Sequence, residues 1–227
     1  TISGFSRGVY AFNGAHVRNC IIENNAWMGI YIWYAGGTCI ENNVIRNNGT
    51  EQWHYALCLG GGDAAYVINN LVIGSIGDGV YAWTAGDPMY FINNTIVGNT
   101  ERGLAILGDD EDLAYIVNNV IVGNGNAGID TAGGVDTPTV NSNNVYGNVV
   151  NYDGGIFDPT GTNGNISAAP VFVNAGSGDY RISSTSPCRD AGWSGAPYLP
   201  AVDIRGEARI VGAEVDMGCY EWQPTDP

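Results

Sequence analysis

The feature that most constrains this chain is a repeated asparagine pair that is followed each time by a short apolar segment. The pairs are Asn42-Asn43, Asn69-Asn70, Asn93-Asn94, Asn118-Asn119 and Asn143-Asn144, with Arg18-Asn19 in the equivalent earlier place. The second residue of the pair recurs after 24, 27, 24, 25 and 25 residues. No helical period appears between the pairs. A repeat of this length built from short apolar segments predicts one coil of a parallel β-helix.

Stacked coils of this kind place equivalent residues in columns at the strand spacing, about 4.8 Å. Asparagine amides in such a column can hydrogen-bond up and down the stack, which gives the pairs a structural reason. We therefore predict an all-β fold, a single-stranded right-handed parallel β-helix of about six coils over residues 1–150. Residues 151–227 depart from the repeat and are expected to form a C-terminal coil and an irregular tail packed on the helix.

The first strand of each coil begins after a glycine and alternates between aliphatic and aromatic residues. Because successive side chains of a strand point to opposite faces, the aliphatic positions should face the core and the aromatic positions the solvent. The outward aromatic residues form what we call the aromatic strip: Tyr10, Phe12, Tyr31, Trp33, Tyr81 and Trp83. In the third coil two registers remain open, with either Tyr55 and Leu57 or Ala56 and Cys58 outward.

A contiguous apolar patch on a surface usually marks a binding site. The C–H faces of sugar rings stack on aromatic side chains, so the aromatic strip is expected to form a flat platform along which a glycan lies. The alternative is that a loop or the tail covers the strip.

The charge of the chain restricts its partners. The net charge is −15, and all eight basic residues are arginines. This charge argues against nucleic acid and anionic membranes as partners. It also repels polyanionic sugars unless a metal ion bridges them, which leaves a neutral polysaccharide as the expected ligand. No apolar run approaches the roughly 20 residues of a membrane-spanning helix.

A column of aspartates is predicted in the turn after the first strand of successive coils. We call it the aspartate column: Asp63, Asp87, Asp112 and Asp136. Carboxylates stacked at strand spacing repel one another unless a cation or hydrogen-bond donors compensate them. Oxygen ligands in flexible glycine-rich turns suit Ca²⁺, which would be structural here. The alternative is that these side chains extend into solvent or cap local backbone N–H groups.

Few residues of the sequence match a known catalytic arrangement. A lyase needs a base and a cationic partner for a uronate, but the chain has no lysine and its two histidines lie in different coils. Gly108-Asp109-Asp110 resembles the Gly-x-Asp-Asp element of polygalacturonase-type hydrolases, with Asp87 and Asp130 as partners on adjacent coils. The match lacks that family's Arg-x-Lys element.

The five cysteines divide into three in the repeat region and two in the tail. An oxidising compartment would allow a Cys188–Cys219 bridge together with three buried thiols. The alternative is five free cysteines.

The tail carries segments that resemble the C-terminal part of many secreted bacterial right-handed β-helix proteins. These segments are residues 165–173, 178–182, 186–192 and 215–222. The resemblance implies a pectate-lyase-like fold and an extracellular setting, and it implies no single activity. The aromatic strip is also similar to that of β-helix carbohydrate-binding modules attached to xylanases.

Taken together, these observations predict a secreted, non-catalytic carbohydrate-binding module of a larger multidomain enzyme. Its ligand would be a neutral plant polysaccharide, xylan first and β-glucan second. The alternative is a polysaccharide-degrading enzyme, a hydrolase or lyase, that uses Asp87, Asp109, Asp110 and Asp130. A third hypothesis is that the protein is a structural spacer. It would require a loop or the tail to cover the aromatic strip.

Overall fold

The computed structural model describes residues 1–61, 64–84, 88–108, 113–132 and 138–227. In this part of the chain one 3-10 helical turn occurs, Ala175–Ser177, and no helix is long and apolar enough to cross a membrane. The strands in chain order are β1 (Ile2–Ser3), β2 (Arg7–Phe12), β3 (His16–Arg18), β4 (Ile21–Glu23), β5 (Met28–Trp33), β6 (Cys39–Glu41), β7 (Val44–Arg46), β8 (Tyr55–Gly60), β9 (Tyr66–Ile68), β10 (Leu71–Ile73), β11 (Asp78–Trp83), β12 (Met89–Ile92), β13 (Thr95–Val97), β14 (Leu104–Leu107), β15 (Ala114–Val117), β16 (Val120–Val122), β17 (Ala127–Asp130), β18 (Thr139–Asn141), β19 (Asn144–Tyr146), β20 (Val150–Asp153), β21 (Phe172–Asn174) and β22 (Asp179–Ile182).

The strands wind into three parallel sheets, because each strand from β1 to β17 pairs with the strand three places further along the chain. Sheet 1 contains β2, β5, β8, β11, β14, β17 and β20. Sheet 2 contains β3, β6, β9, β12, β15 and β18, and sheet 3 contains β1, β4, β7, β10, β13, β16 and β19. This topology confirms the predicted right-handed parallel β-helix of about six coils.

Aliphatic side chains from all three sheets fill the interior of the helix. In sheet 1 the positions predicted to face inward are fully buried from the second coil onward: Ile30, Ile32, Val80, Ala82, Leu104, Ile106 and Ile129. In the third coil Leu57 and Leu59 take these inward positions. Of the two registers left open, the one that turns Cys58 to the outer face is therefore correct, although Ala56 is itself buried at a corner.

Asparagine amides form a continuous ladder at the corner between sheets 2 and 3. The ladder consists of Asn43, Asn70, Asn94, Asn119, Asn143 and Asn165. Each Nδ2 donates to the Oδ1 of the next residue at 2.9–3.1 Å. A buried amide without partners would cost about 1–3 kcal/mol, so this ladder allows polar side chains to close the corner inside the protein.

This ladder corrects the sequence alignment of the repeat at both ends. The residue before every ladder position, and before the equivalent Cys20 of the first coil, has a left-handed φ between 52° and 72°: Asn19, Asn42, Asn69, Asn93, Asn118, Ser142 and Gly164. The first pair is therefore Asn19-Cys20 and the last is Ser142-Asn143. Asparagine is favoured at most of these corners because its short polar side chain tolerates the left-handed region. Asn144 lies one place later, in β19, in register with Val120.

A second amide ladder runs along the corner between sheets 3 and 1. It consists of Asn25, Asn48, Ser75, Asn99, Asn124 and Asn148. A glycine opposes each asparagine of this ladder, because a Cβ there would lie only 2.6–2.9 Å from the asparagine Nδ2. The third coil differs at both places, since Ala56 takes the glycine position and Ser75 the asparagine position.

The tail packs along the outer faces of sheets 2 and 3. The outer asparagine of three pairs binds it: Asn93 Nδ2 donates to the Asp216 carbonyl at 3.0 Å, and Asn118 Oδ1 accepts from the Trp193 N–H at 2.7 Å. Asn69 Oδ1 accepts from Arg209 at 3.2 Å. The apolar clusters that contain tail side chains include none of the six residues of the aromatic strip. The described tail therefore does not cover the strip.

Four buried tail residues have acidic or basic side chains: Asp203, Arg209, Asp216 and Glu221. Arg209 lies against sheet 3 and is 2% exposed, and Glu221 is 1% exposed. Burial and the charge of Asp216 raise the pKa of Glu221 to about 8. Its carboxylate accepts backbone N–H groups from Val211 at 3.2 Å and from Asp216 at 3.0 Å. These hydrogen bonds hold two tail segments together.

The bridge considered between the two tail cysteines is wrong, because all five cysteines are free. Cys188 Sγ accepts a hydrogen bond from Asn144 Nδ2 at 3.1 Å, near the end of the helix. Cys219 instead packs on Leu71 and Ile73. The two thiols therefore belong to separate buried clusters.

Candidate functional site

The outer face of sheet 1 presents two columns of side chains, one for each outward position of its strands. The first column is Tyr10, Tyr31, Cys58, Tyr81, Ala105, Asp130 and Asp153. The second column is Phe12, Trp33, Gly60, Trp83 and Leu107. All six residues of the aromatic strip therefore lie on one face, as the alternation of the sequence requires.

The strip is accessible to solvent. Tyr10, Phe12, Trp33 and Trp83 are between 43% and 55% exposed, and Tyr31 and Tyr81 are partly buried. In the first two coils the rings contact one another, since Tyr10 stacks on Tyr31 with centroids 5.4 Å apart. Tyr31 in turn meets Trp33 edge to face at 5.9 Å.

The third coil interrupts both columns, so the strip is not flat. Cys58 and Gly60 stand where the neighbouring coils have tyrosine and tryptophan. The missing side chains leave a cleft of about 510 Å³. Its aromatic lining includes Trp27, Tyr31, Trp33, Trp53, Tyr55, Tyr81 and Trp83. We call this the aromatic cleft.

Two groups in the floor and wall of the aromatic cleft titrate far above neutral pH. Burial raises the pKa of Tyr55 to about 12 and that of the Cys58 thiol to about 12. Tyr55 stacks on Tyr81 with centroids 4.6 Å apart. At neutral pH these side chains are uncharged, and they act as apolar surface with a hydroxyl or thiol at the edge.

Two nitrogen atoms at the other end of the cleft lack a hydrogen-bond partner among the described residues, Arg7 Nε and His54 Nε2. His54 Nδ1 accepts from the N–H groups of Thr50 and Glu51 at 3.0 and 3.2 Å, so the ring hydrogen belongs on Nε2. The Arg7 guanidinium lies over the Trp27 ring at 4.3 Å. Both nitrogen atoms are buried, so they do not face the open part of the cleft.

A smaller polar cleft of about 340 Å³ adjoins the aromatic cleft and shares Trp53 and Tyr55 with it. Arg102 lies in its floor and donates to Asp78 Oδ2 and Asp130 Oδ2, both at 2.8 Å.

The structure thus places Asp130, one of the four aspartates considered for catalysis, in an ion pair. It is 7% exposed, and its Oδ1 accepts the Ala132 N–H at 2.9 Å. The other three, Asp87, Asp109 and Asp110, lie outside the described residues.

The aspartate column also lies outside the described residues, at Asp63, Asp87, Asp112 and Asp136. In the ranges that the structure describes, no group of three or more histidine, cysteine, aspartate or glutamate residues could hold a metal ion. The Ca²⁺ site stays a prediction.

A separate tyrosine stack on sheet 2 does not extend the aromatic strip. Tyr66, Tyr90 and Tyr115 stack with centroids 5.2 and 4.9 Å apart. Tyr198 of the tail packs edge-on against Tyr66 and Tyr90 at 4.8 and 4.7 Å. The stack is structural, because it anchors the tail.

Reasoning from alternation missed several residues of the aromatic cleft, notably Trp27, Trp53 and Arg7. Trp27 lies immediately before β5, and Trp53 lies two residues before β8. The signal that could have found them is the aromatic residue in the turn that precedes the first strand of two adjacent coils.

Three parallel sheets closed by amide ladders define a parallel β-helix protein, and one of its faces is open and aromatic. The chain belongs to the family described as right handed beta helix region, which matches residues 1–178. Neither the curated proteins nor the solved structures compared with the chain gave a match. Membership of this family fits polysaccharide-related β-helix proteins in general, and it does not separate binding from cleavage.

Proposed function

We propose that this protein is a non-catalytic carbohydrate-binding module for a neutral plant polysaccharide, xylan first and β-glucan second. The observation that carries the proposal is the open aromatic cleft on sheet 1, beside which four residues of the strip are between 43% and 55% exposed. The tail packs on parts of the outer faces of the other two sheets and leaves this face open. A large apolar patch that stays open to solvent is typical of a binding surface.

The composition of the cleft suits a sugar. Binding sites for small molecules are mostly apolar and contain a few polar groups that fix orientation. Here Trp33 and Trp83 offer faces for sugar C–H groups. The Arg7 side chain adds a polar group to the lining at one end.

Charge favours a neutral ligand over an acidic one. The protein carries a net charge of −15, and the adjoining polar cleft contains Asp78, Glu101, Asp130 and Asp153 against one arginine, Arg102. A uronate chain entering the aromatic cleft would approach these carboxylates. We therefore expect weaker binding of pectate than of unsubstituted xylan.

The titratable groups in the cleft support binding rather than cleavage. Tyr55 and Cys58 are neutral at neutral pH, and Asp130 is held by Arg102. We further propose that the module is secreted and works within a larger multidomain enzyme. The alternative of a polysaccharide-degrading enzyme predicts the release of reducing sugar, so it can be tested in the same experiment.

The test is affinity gel electrophoresis and isothermal titration calorimetry against xylan, β-glucan and pectate, together with a reducing-sugar assay. Trp33→Ala or Trp83→Ala should weaken binding by about 1 kcal/mol or more, which is roughly fivefold, the scale of an aromatic contact at an interface. The melting temperature should barely change, because both side chains lie outside the core.

Phe157→Ala is the matched control. Phe157 is 92% exposed and lies outside the aromatic cleft, so its loss should leave affinity unchanged. Sugar release that depends on Asp109 or Asp110 would support the enzyme alternative. A wild-type protein that neither binds nor cleaves any of the glycans would refute the proposal and favour a structural spacer.

A further inference from the structure

The second column of sheet 1 contains a gap one coil wide. Gly60 pairs with Trp33 of the preceding coil, and Trp83 stands in the same column on the following coil. A pocket of about 210 Å³ lies at this gap and is lined by Trp33, Tyr34, Gly60, Gly61 and Trp83. None of these five lining residues carries a charge.

Gly60 is not required by the backbone. It is absent from the glycines with positive φ, so its conformation is open to other residues. A Cβ at Gly60 would have the Trp33 side chain as its nearest neighbour, with Cε3 at 3.1 Å. By contrast, a Cβ at corner glycines such as Gly29 and Gly79 would collide with backbone carbonyls and with the amide ladder. The missing side chain at Gly60 leaves space on the outer surface, and the edge of the Trp33 indole already reaches over part of it.

The width of this gap suits one ring. Two coils at strand spacing separate the attachment points of Trp33 and Trp83 by about 9.6 Å. A ring in contact with an aromatic face on each side needs about 7–8 Å between the two faces, since each carbon–carbon contact takes about 3.5–4.0 Å. A saturated sugar ring can therefore enter between the two indoles once the Trp33 indole, whose edge lies over Gly60, turns back toward its own coil.

We infer that this gap is a slot that holds a single neutral sugar ring between Trp33 and Trp83, so that the glycan crosses the helix axis instead of following it. The inference rests on the proposed function and specifies its geometry. It also replaces the expectation of a flat platform along the axis. Cys58 and Gly60 have no aromatic ring where the neighbouring coils have tyrosine and tryptophan, so the surface is lower there.

The neighbouring groups favour a neutral ring over a cation. Aromatic residues also bind quaternary ammonium groups. Here, however, the Arg7 guanidinium already lies near the aromatic cluster, 5.4 Å from the Tyr31 ring centroid, and would repel a second cation. Choline therefore serves as the competing probe.

The test is to fill the slot with Gly60→Trp, which completes the column of aromatic residues. If the slot holds a sugar ring, Gly60→Trp should lower the affinity for xylohexaose and cellohexaose at least tenfold by calorimetry. Gly60→Ala should give a smaller loss in the same direction. If the glycan instead follows the axis, the new indole should leave affinity unchanged or raise it, and the inference is then wrong.

Leu107→Trp is the matched control. Leu107 pairs with Trp83 in the same column but lies outside the slot, so a tryptophan there adds aromatic surface without filling the gap. We expect it to leave affinity unchanged or raise it slightly. Melting temperatures of the variants should match the wild type, because position 60 faces outward.

The two proposals fail in different ways. Wild-type protein that binds no glycan contradicts the proposed function itself. Binding that weakens with Trp33→Ala and Trp83→Ala but persists in Gly60→Trp contradicts the slot alone. Choline chloride that quenches tryptophan fluorescence at lower concentration than the hexasaccharides would also overturn it.

Discussion

Replacing Ser75 with asparagine should destabilise the helix, although asparagine holds this ladder position in five other coils. In those coils the opposing residue is glycine, and a Cβ there would lie 2.6–2.9 Å from the asparagine Nδ2. Ala56 already supplies that Cβ in the third coil. The new side chain would therefore come roughly 0.6–0.9 Å closer than an ordinary contact of about 3.5 Å.

The expected magnitude follows from two opposing terms. Overpacking a buried site costs about 1–3 kcal/mol. A restored amide hydrogen bond in the ladder returns about 1 kcal/mol, because Ser75 now offers only its Oγ to the Asn48 N–H at 3.2 Å. Ser75→Asn should therefore lower stability by up to about 2 kcal/mol, which is up to about 8 °C in melting temperature for a chain of this size.

The assay is a double-mutant cycle by differential scanning calorimetry. In an Ala56→Gly background the clash disappears, so Ser75→Asn should raise the melting temperature instead of lowering it. We expect a coupling energy of about 1–3 kcal/mol between the two positions. Effects that add within about 0.5 kcal/mol would refute the argument that the two residues compensate each other.

Three further predictions concern the tail and the aspartate column. Because the pKa of Glu221 is raised to about 8 in the folded protein, its contribution to stability is present below about pH 4 and is lost as pH rises through 8. The melting temperature should fall over this range, and Glu221→Gln should flatten the slope; an unchanged slope would contradict this. Iodoacetamide should leave Cys58, Cys188 and Cys219 unmodified in the native protein, since burial raises their pKa values to about 12, 11 and 12, and should label all five cysteines after denaturation. Mass spectrometry that finds only three labelled sites after denaturation would restore the bridge. If the aspartate column binds Ca²⁺, EDTA should lower the melting temperature at low ionic strength, whereas an unchanged midpoint would count against a structural ion.

The sequence was sufficient to predict the fold, because every coil repeats the same short sequence signals. A left-handed corner, an inward amide and an apolar strand recur in each coil, and each has its own residue preference. The misaligned ends show the limit of this approach. Asn144 follows Asn143 and so resembles a pair in the sequence, but it occupies a strand position that is aliphatic in four of the five preceding coils. Only the strand pairing in the structure distinguishes Asn143-Asn144 from the asparagine pairs that form a corner.

The candidate site was harder to predict. Alternation placed the six aromatic residues on one face, yet it could not show the cleft between them. The step from Asn43 to Asn70 is 27 residues, and the longer turn brings Trp53 and His54 against the face of the sheet. Its path depends on hydrogen bonds from Thr50 and Glu51 to His54, and such tertiary contacts leave no periodic signal. The cysteine bridge was misjudged for the same reason.

The outer asparagines also limit how this protein can change in length. Repeat proteins often gain or lose units, because each unit contacts only its neighbours. Here the tail is docked at Asn69, Asn93 and Asn118, on three successive coils, and again at Asn144. Inserting a coil between these points would move the later sites by about 4.8 Å relative to the earlier ones. The tail therefore fixes the number of coils between Asn69 and Asn144. Added coils keep all of these contacts only if they come before the third coil.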